Sequence, residues 1–268
     1  MKTIIHPTVN FLDVGVGPVV LLVHGFPLSH LMWRYQIKSL STSHRVICPD
    51  LPGFGASPAS GQSLTLRQCV EGLIGLLDRL EIETVSFCGL SMGGYIGWQF
   101  WKQYPDRLTS LIACNTRAGA DNETMARARR VSAQTAREHG IGNLANEMIG
   151  KMFAPANLSN LAEAIELVRE MISSTDPESV AQGQLAMAER PDATPWLTEI
   201  RVPTLFIAGQ FDNITSTAEM QSNCELVPGA QICEIPQAGH LTPLESPQIF
   251  NEVVLAFLRS QRHDLISR

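Results

Sequence analysis

One glycine-rich segment, Gly89–Gly94 with the sequence Gly-Leu-Ser-Met-Gly-Gly, constrains the fold of this chain more than any other. It follows the apolar run Thr84–Cys88 and precedes the helical run Tyr95–Tyr104, which predicts a strand, a tight turn and a helix in immediate succession. Such a turn crowds the backbone around its central residue, and glycines on both sides remove side chains that would collide. We therefore expect Ser91 to adopt a strained conformation directly before a helix N-terminus, which favours negative charge nearby.

Further strand-like runs are spread along the chain and alternate with helical periodicity. They are Val19–Val23, Arg45–Cys48, Leu108–Cys114, Thr204–Ala208 and Gln231–Ile235. The clearest helical pattern extends from Leu66 to Leu77, behind a capping box of Thr65 and Gln68, and another follows Ser246. Strands that alternate with helices predict the α/β class, with a mostly parallel, doubly wound sheet.

Residues 117–195 interrupt this alternation. The segment contains no clear strand, and its alanine, methionine, glutamate and arginine content favours helices. Helical patterns are centred on Met125–Gln134, Leu144–Met152, Leu161–Ile172 and Pro177–Glu189. We therefore predict a helical cap at residues 117–195, inserted after the sixth strand of an α/β core that comprises residues 1–116 and 196–268.

The charge of the chain argues against polyanionic partners. The 268 residues carry a formal net charge of -6 at pH 7, and no lysine- or arginine-rich run is present. Nucleic acid and anionic membrane surfaces repel such a chain. Residues 1–7 lack the apolar region of a signal peptide, and no apolar stretch approaches the ~20 residues that span a bilayer. We expect a cytoplasmic protein that acts on a small-molecule substrate, and its oligomeric state stays open.

Cysteine and ligand spacing indicate neither a zinc site nor a redox motif. Cys48, Cys88, Cys114 and Cys233 lie within strand-like runs and form no C-x-x-C pair. We expect buried, reduced thiols at these positions. No cluster of metal ligands is evident in the sequence, and it has no dinucleotide-type glycine-rich turn apart from the corner at Ser91. We therefore expect no metal and no organic cofactor.

A serine on such a corner becomes a nucleophile only with a base and with an acid that orients the base. His240 lies in a loop between the last predicted strand and the final helix, and we predict that it is the base. Asp212 follows the strand Thr204–Ala208 and gives the chain order serine, acid, histidine. A turn or helix-cap role is the alternative for Asp212. Asn115, at the end of the preceding strand, cannot carry charge, which favours Asp212 as the acid.

Attack on a carbonyl group creates an oxyanion that needs two hydrogen-bond donors. The backbone N–H of Met92, directly after the serine, is one predicted donor, and the N–H of Phe26 in the loop His24–Pro27 is the other. We also expect the Phe26 and Met92 side chains to line the substrate pocket, although core packing explains a single apolar side chain almost as well. We expect His24 to belong to the corner at the strand end rather than to the catalytic groups.

Several motifs together make the sequence resemble the α/β-hydrolase superfamily, in its serine-nucleophile branch. The segments that carry the resemblance are His24–Pro27 with Met32 and Trp33, Pro49–Ser57, Gly89–Gly94, Asp212, and Gly239–His240 with Glu245–Pro247. The resemblance implies an α/β-hydrolase fold, acyl transfer to Ser91 and a bracing role for Asp50 beside the oxyanion corner. The related haloalkane dehalogenases and epoxide hydrolases have an aspartate nucleophile, so Ser91 disfavours their chemistry.

Within this superfamily the chain is most similar to 3-oxoadipate enol-lactonases and small carboxylesterases, through residues 89–95, 114–116 and 238–240. This resemblance implies hydrolysis of a small carboxylic ester or lactone. A dicarboxylate lactone needs a cation, and the candidates are Arg117, Arg127, Arg129 and Arg130, of which we name Arg117 as substrate-binding. A solvated helix face is the alternative explanation of these arginines.

Four other activities remain open at this stage. An enol-lactonase proper, a carbon–carbon bond hydrolase and a perhydrolase all use the same three side chains. The fourth alternative is a ligand-sensing receptor in which hydrolysis is slow and the cap moves to bind a partner protein. A complete set of catalytic groups argues against a pure receptor.

Overall fold

The computed structural model describes residues 9–59 and 63–266. The expectation for residues 1–7 lies outside the described residues. Among those described, a single seven-stranded sheet has the order β1-β3-β2-β4-β5-β6-β7. Its strands are β1 (Phe11–Val14), β2 (Val19–Val23), β3 (Arg45–Pro49), β4 (Val85–Leu90), β5 (Leu108–Cys114), β6 (Thr204–Gly209) and β7 (Gln231–Ile235). β1 pairs antiparallel with β3, and the other neighbouring pairs are parallel, which confirms the predicted α/β class.

Twelve α-helices accompany the sheet in the described part of the chain. They are α1 (Arg34–Leu40), α2 (Leu66–Arg79), α3 (Met92–Gln103), α4 (Glu123–His139), α5 (Leu144–Met152), α6 (Asn157–Asn160), α7 (Ala162–Ser173), α8 (Pro177–Ala188), α9 (Thr194–Leu197), α10 (Thr217–Leu226), α11 (Thr242–Glu245) and α12 (Pro247–Ile266). The capping box predicted at Thr65 and Gln68 is present at the start of α2. No helix in residues 9–59 and 63–266 has the length and apolar character needed to cross a membrane.

Two hydrophobic clusters cover the two faces of the sheet. Successive side chains of a strand point to opposite faces, and β2 shows this alternation clearly. Leu21 and Val23 belong to the cluster that contains α2 and α3 side chains, whereas Val20 and Leu22 belong to the cluster that contains α1 and α12 side chains. Helices therefore pack on both faces, as in a doubly wound sheet, and the carboxyl ends of the parallel strands meet at one edge.

The helices α4 to α9 form an insertion between β5 and β6. β5 and β6 are neighbours in the sheet, and near the two ends of the insertion the Ala193 amide donates to the Ala118 carbonyl at 2.9 Å. The chain thus leaves the sheet and returns to it at one place. Five strands precede the insertion in the described chain, so the expectation that it follows the sixth strand is wrong. Of these five strands, the runs named from the sequence lack only β1, which is short, half exposed and at the sheet edge.

Candidate active site

Ser91 lies on the corner between β4 and α3. Its backbone has φ 55° and ψ -113°, in the left-handed range of φ that side chains other than glycine rarely adopt. The Ser91 amide donates to the Cys114 carbonyl at 2.9 Å, and the Thr116 hydroxyl donates to the Ser91 carbonyl at 2.8 Å. These bonds from the end of β5 hold a conformation that costs roughly 1–3 kcal/mol.

Glycines at 89 and 93 permit this corner because the backbone approaches both of them closely. A Cβ atom on Gly89 would lie 2.3 Å from the Gly93 carbonyl oxygen, and a Cβ on Gly93 would lie 2.3 Å from the Val23 carbonyl oxygen. Both neighbours are backbone atoms of strands or of the first helical turn, so they cannot move aside without disturbing the sheet. A side chain at either glycine would therefore collide with backbone, as predicted from the sequence.

We expect Gly93→Ala to lower the free energy of unfolding by about 3 kcal/mol, because the new methyl group overlaps backbone of β2. Gly72→Ala is the matched control. Gly72 lies within α2 with open space around it, so alanine there is expected to stabilise the chain by about 0.5–1 kcal/mol. Urea unfolding of both variants measures the difference. Equal stability of the two variants would contradict the crowded corner.

His240 and Asp212 form a buried pair at the same edge of the sheet. His240 Nδ1 lies 2.8 Å from Asp212 Oδ2, and both side chains are almost completely buried. The other carboxylate oxygen, Oδ1, accepts from the amides of Ile214 at 2.8 Å and Thr215 at 3.0 Å. The loop after β6 thereby fixes the carboxylate, and the carboxylate in turn orients the imidazole ring.

The surroundings of Asp212 favour its charged form. Burial by itself would raise the pKa of this carboxyl group, but the adjacent His240 and the donors from His240, Asn115 and the Thr215 amide outweigh burial. The pKa of Asp212 consequently lies below its ordinary value. Asp212 is therefore an anion at neutral pH, held within hydrogen-bond distance of the His240 ring.

Asn115 links these groups, and sequence reasoning missed this role. Its Nδ2 donates to Asp212 Oδ2 at 2.9 Å and to the Gly239 carbonyl at 3.3 Å, while its Oδ1 accepts from the Thr242 hydroxyl at 2.7 Å. From the sequence, Asn115 was interpreted only as a position that cannot supply the acid. The side-chain amide of Asn115 in fact connects the end of β5 with Asp212, and with Gly239 and Thr242 on the two sides of His240.

The loop that contains Phe26 lies beside the serine. A Cβ atom on Gly25 would be 3.4 Å from the Ser91 Cβ. Among residues 9–59 and 63–266, no hydrogen bond is found from the amide of Phe26 or from that of Met92. Met92 begins α3, where the first amides have no acceptor within the helix. Two amides near Ser91 are thus available to an oxyanion.

The side chains of Phe26 and Met92 are buried within the core cluster of the α2 and α3 face. Phe26 packs edge-on against Phe54 at a centroid distance of 5.9 Å, and a Cβ on Gly183 of α8 would approach its ring to 2.7 Å. The insertion therefore rests directly on the loop that carries the Phe26 amide. Contact of the Phe26 and Met92 side chains with substrate remains a prediction.

His24 and Asp50 are buried polar residues that directly follow β2 and β3, and a bracing role for Asp50 beside the Phe26 loop stays a prediction. His24 Nδ1 lies 2.9 Å from the Gly25 carbonyl, and His24 Nε2 accepts from the Leu51 amide at 2.9 Å, which requires a neutral imidazole. Burial lowers the pKa of His24 to about 4. Burial would raise the pKa of Asp50, but donors from His30, Ala56 and Asn10 outweigh it and bring that pKa to about 2.

His24 is expected to make the chain sensitive to mild acid. The unfolded chain binds a proton at this residue below about pH 6.5, whereas the folded chain does so only near pH 4, so stability is lost as the pH falls between these values. The loss amounts to about 3 kcal/mol. Urea unfolding between pH 7 and pH 4 should show a shallower pH dependence for His24→Gln than for wild type. Identical slopes would contradict this role of His24.

Comparison with known proteins identifies the family. The sequence pattern described as alpha/beta hydrolase fold matches residues 18–247. The chain belongs to the α/β-hydrolase family. It is 31% identical over 242 residues to 3-oxoadipate enol-lactonase 2 of Acinetobacter baylyi, a match that covers 90% of this chain and 89% of that protein.

Two solved structures also resemble this α/β-hydrolase over nearly its whole length. A thermophilic esterase from Thermogutta terrifontis, solved with malate bound, superposes with a TM-score of 0.92 at 41% identity and covers 94% of this chain and 93% of that one. The enol-lactonase from Burkholderia xenovorans LB400 superposes with a TM-score of 0.88 at 28% identity and covers 94% and 96%. With such relatives, this α/β-hydrolase is a hydrolytic enzyme.

The arginines of the α/β-hydrolase insertion are engaged with protein groups. Arg117 binds the Ile214 carbonyl through Nη2, which also lies 3.3 Å from Glu219 Oε2. Arg129 pairs with Asp121, while Arg127 and Arg130 approach Glu123 and are exposed. Substrate binding by Arg117 remains a prediction, and its carboxylate partner lowers its capacity to attract an anion.

Proposed function

We propose that this chain hydrolyses small carboxylic esters or lactones through an acyl-serine intermediate. Ser91 is the nucleophile, His240 the general base, and Asp212 the anion that orients His240. The amides of Phe26 and Met92 are the oxyanion donors, and residues 117–195 form the cap over the site. Relatives called esterase and enol-lactonase support this substrate class.

One set of contacts carries the proposal. The side-chain amide of Asn115 donates to both Asp212 Oδ2 and the Gly239 carbonyl. The neighbouring Cys114 carbonyl accepts from the backbone amide of Ser91. The strained serine and the buried His240–Asp212 pair therefore share one edge of the sheet through a single residue pair. A serine, a histidine and a carboxylate in this relation support nucleophilic catalysis.

The acylation step uses each group in turn. Ser91 Oγ attacks the acyl carbon as its proton passes to His240 Nε2, because Nδ1 is occupied by Asp212. Negative charge moves to the former carbonyl oxygen, towards the amides of Phe26 and Met92, and each such donor is worth roughly 3 kcal/mol in the transition state. Collapse of this intermediate expels the alcohol, which takes the proton from His240, and leaves an acyl ester on Ser91.

Hydrolysis of the acyl-serine repeats the same chemistry with water. His240 accepts a proton from the attacking water, and the same two amides stabilise the second oxyanion. Ser91 then departs, takes the proton back from His240, and the carboxylic acid is released. The buried anion of Asp212 stabilises the imidazolium form of His240 in both halves of the reaction.

A lactone of a dicarboxylic acid is the second candidate substrate, and the 31% identity to an enol-lactonase favours it. The pairing of Arg117 with Glu219 and with the Ile214 carbonyl favours an uncharged ester instead. An exposed carboxylate on the substrate would have to displace Glu219 before Arg117 became available. The relative rates on neutral and anionic substrates therefore separate the two candidates.

The test is turnover by the purified chain of p-nitrophenyl esters of increasing acyl length, small neutral lactones and a lactone that carries a carboxylate. We expect hydrolysis of short acyl esters, with acid quenching and mass spectrometry locating a transient acyl group on Ser91. Release of p-nitrophenol in a burst equal to the enzyme concentration would indicate rate-limiting deacylation. No turnover on any substrate would contradict the proposal and favour a receptor, whereas an acyl group on another residue would contradict Ser91 as the nucleophile.

A further inference from the structure

Glu245 is a buried carboxyl group that the proposed reaction does not use. It ends α11, five residues after His240, and only 8% of its surface is exposed. It has no cation partner among the ion pairs of the described residues. A buried carboxyl without a cation is costly unless hydrogen-bond donors surround it. Its contacts therefore need an explanation.

The two oxygens of Glu245 bind two different parts of the molecule. Oε1 accepts from the amides of Gly239 at 2.9 Å and Leu241 at 3.1 Å, which are the residues on either side of His240. Oε2 accepts from the Ala154 amide at 2.7 Å and from Asn157 Nδ2 at 2.8 Å. Ala154 lies in the turn between α5 and α6 of the insertion, and Asn157 is the first residue of α6.

The same turn also contacts the His240 loop directly. The His240 amide donates to the Met152 carbonyl at 2.7 Å, and Asn157 Nδ2 donates to the Gln237 carbonyl at 2.8 Å. A Cβ atom on Gly239 would lie 2.5 Å from the Ala154 nitrogen, so the two segments are in close contact. The Met152 carbonyl thus satisfies the amide of His240, while Glu245 Oε1 satisfies the amides of residues 239 and 241.

We propose that Glu245 is a positioning residue that joins the His240 loop to the turn 152–157 of the insertion, so that His240 keeps its working position only while that turn is in place. This inference rests on the proposed function, since it assigns His240 the role of base. It makes the carboxylate a link between cap and catalytic base. The Glu245 link passes through the backbone amides of the two residues that flank His240 and not through the His240 side chain.

Replacement by glutamine keeps the size of the side chain and changes which groups its two ends can bind. Glutamine has nearly the same shape, but it has one acceptor oxygen and one NH₂ group. In either orientation of the glutamine side chain, its NH₂ group faces the N–H donors of one of the two segments. Either the His240 loop or the turn 152–157 therefore loses its acceptor. Burial raises the pKa of Glu245, and the hydrogen-bond donors around it offset this rise only in part.

The experiment compares Glu245→Gln with three variants on a substrate that wild type hydrolyses. Asn157→Ala removes part of the link at a half-buried position and is expected to fold even if Glu245→Gln does not. Glu252→Gln removes an exposed charge on α12. Leu76→Ala removes buried volume in α2, remote from the site, and controls for general loss of stability.

We expect Glu245→Gln to lower kcat at least tenfold and Asn157→Ala to lower it three- to fivefold at temperatures where both are folded. Glu252→Gln and Leu76→Ala are expected to stay within twofold of wild type. Amide hydrogen exchange is expected to accelerate at least tenfold in residues 152–157 and 237–241 of Glu245→Gln. Leu76→Ala should leave the relative protection of these two segments unchanged.

Distinct results overturn the link and the reaction. Unchanged exchange in residues 237–241 of both Glu245→Gln and Asn157→Ala would refute the link, whatever the activity. Faster exchange with an unchanged kcat would show that the link exists but does not position the base, which also overturns the proposal. Exchange needs no substrate, so a wild type that hydrolyses nothing would refute the proposed function while the link is still measured.

Discussion

Ser91→Ala is expected to lower kcat/KM on a short p-nitrophenyl ester by at least a thousandfold. Alanine removes the hydroxyl group that becomes acylated in the proposed mechanism. A factor of roughly 10³ over the uncatalysed reaction can survive such a change, because oxyanion donors and substrate binding remain. The fold should be retained, because the bonds that Cys114 and Thr116 make with residue 91 use its backbone N–H and carbonyl and not the Ser91 hydroxyl.

The measurement is initial-rate kinetics on the ester that wild type prefers, with unfolding temperature as a check on structure. Ser222→Ala, an exposed serine on α10, is the matched control and should leave the rate within twofold. Retention of more than a tenth of the activity by Ser91→Ala would mean that the hydrolysis uses another nucleophile or a directly activated water. The acyl-serine mechanism would then be wrong.

Asp212→Asn is expected to lower kcat by roughly 10³ to 10⁴ at neutral pH. The asparagine oxygen is held by the amides of Ile214 and Thr215, which places the new NH₂ group towards His240 Nδ1. His240 then accepts at Nδ1 and carries its proton on Nε2, the atom that must take the proton of Ser91. The same NH₂ group also faces Asn115 Nδ2, so the pair is further disturbed.

KM should change far less than kcat in Asp212→Asn, because the carboxylate lies behind His240 and is buried. Asp106→Asn, at an exposed position in a short 3₁₀ helix, is the control for loss of one negative charge. If Asp212→Asn kept a tenth of the wild-type kcat, Asp212 would be a loop brace, as its contacts with Ile214 and Thr215 alone would suggest. That result would leave His240 without its orienting anion.

The parallel strands and the serine corner could be predicted because their signals are local. Apolar runs such as Val19–Val23 are bounded by turn residues, and Gly89 and Gly93 mark the corner within six residues. β1 lacked such a signal. Its four residues include an aspartate, lie half exposed at the sheet edge, and depend on pairing with β3, which is more than 30 residues away in the chain.

The parts of the site that sequence reasoning missed depend on contacts between distant residues. Glu245 binds backbone amides, and an amide has no sequence signature, so nothing in the chain around 154 indicates its partner. Asn115 was considered only for the charge it lacks, although its amide connects β5 with the loops after β6 and β7. Arg117 was named as one of four candidate cations for a dicarboxylate lactone, and its pairing with Glu219 of α10 depends on a contact between residues far apart in the chain.

The adjacent ends of the insertion have a consequence for how such a chain can be altered. β5 and β6 lie side by side, and the Ala193 amide bonds to the Ala118 carbonyl. Residues 119–192 therefore begin and end at neighbouring positions beside the sheet. We expect that a foreign helical segment of matching end spacing can be grafted there while the strand order stays the same. Such a graft must still offer an acceptor to the His240 amide and donors to Glu245. We expect that exchange of this one segment changes substrate preference, provided that the replacement keeps these contacts with the His240 loop and Glu245.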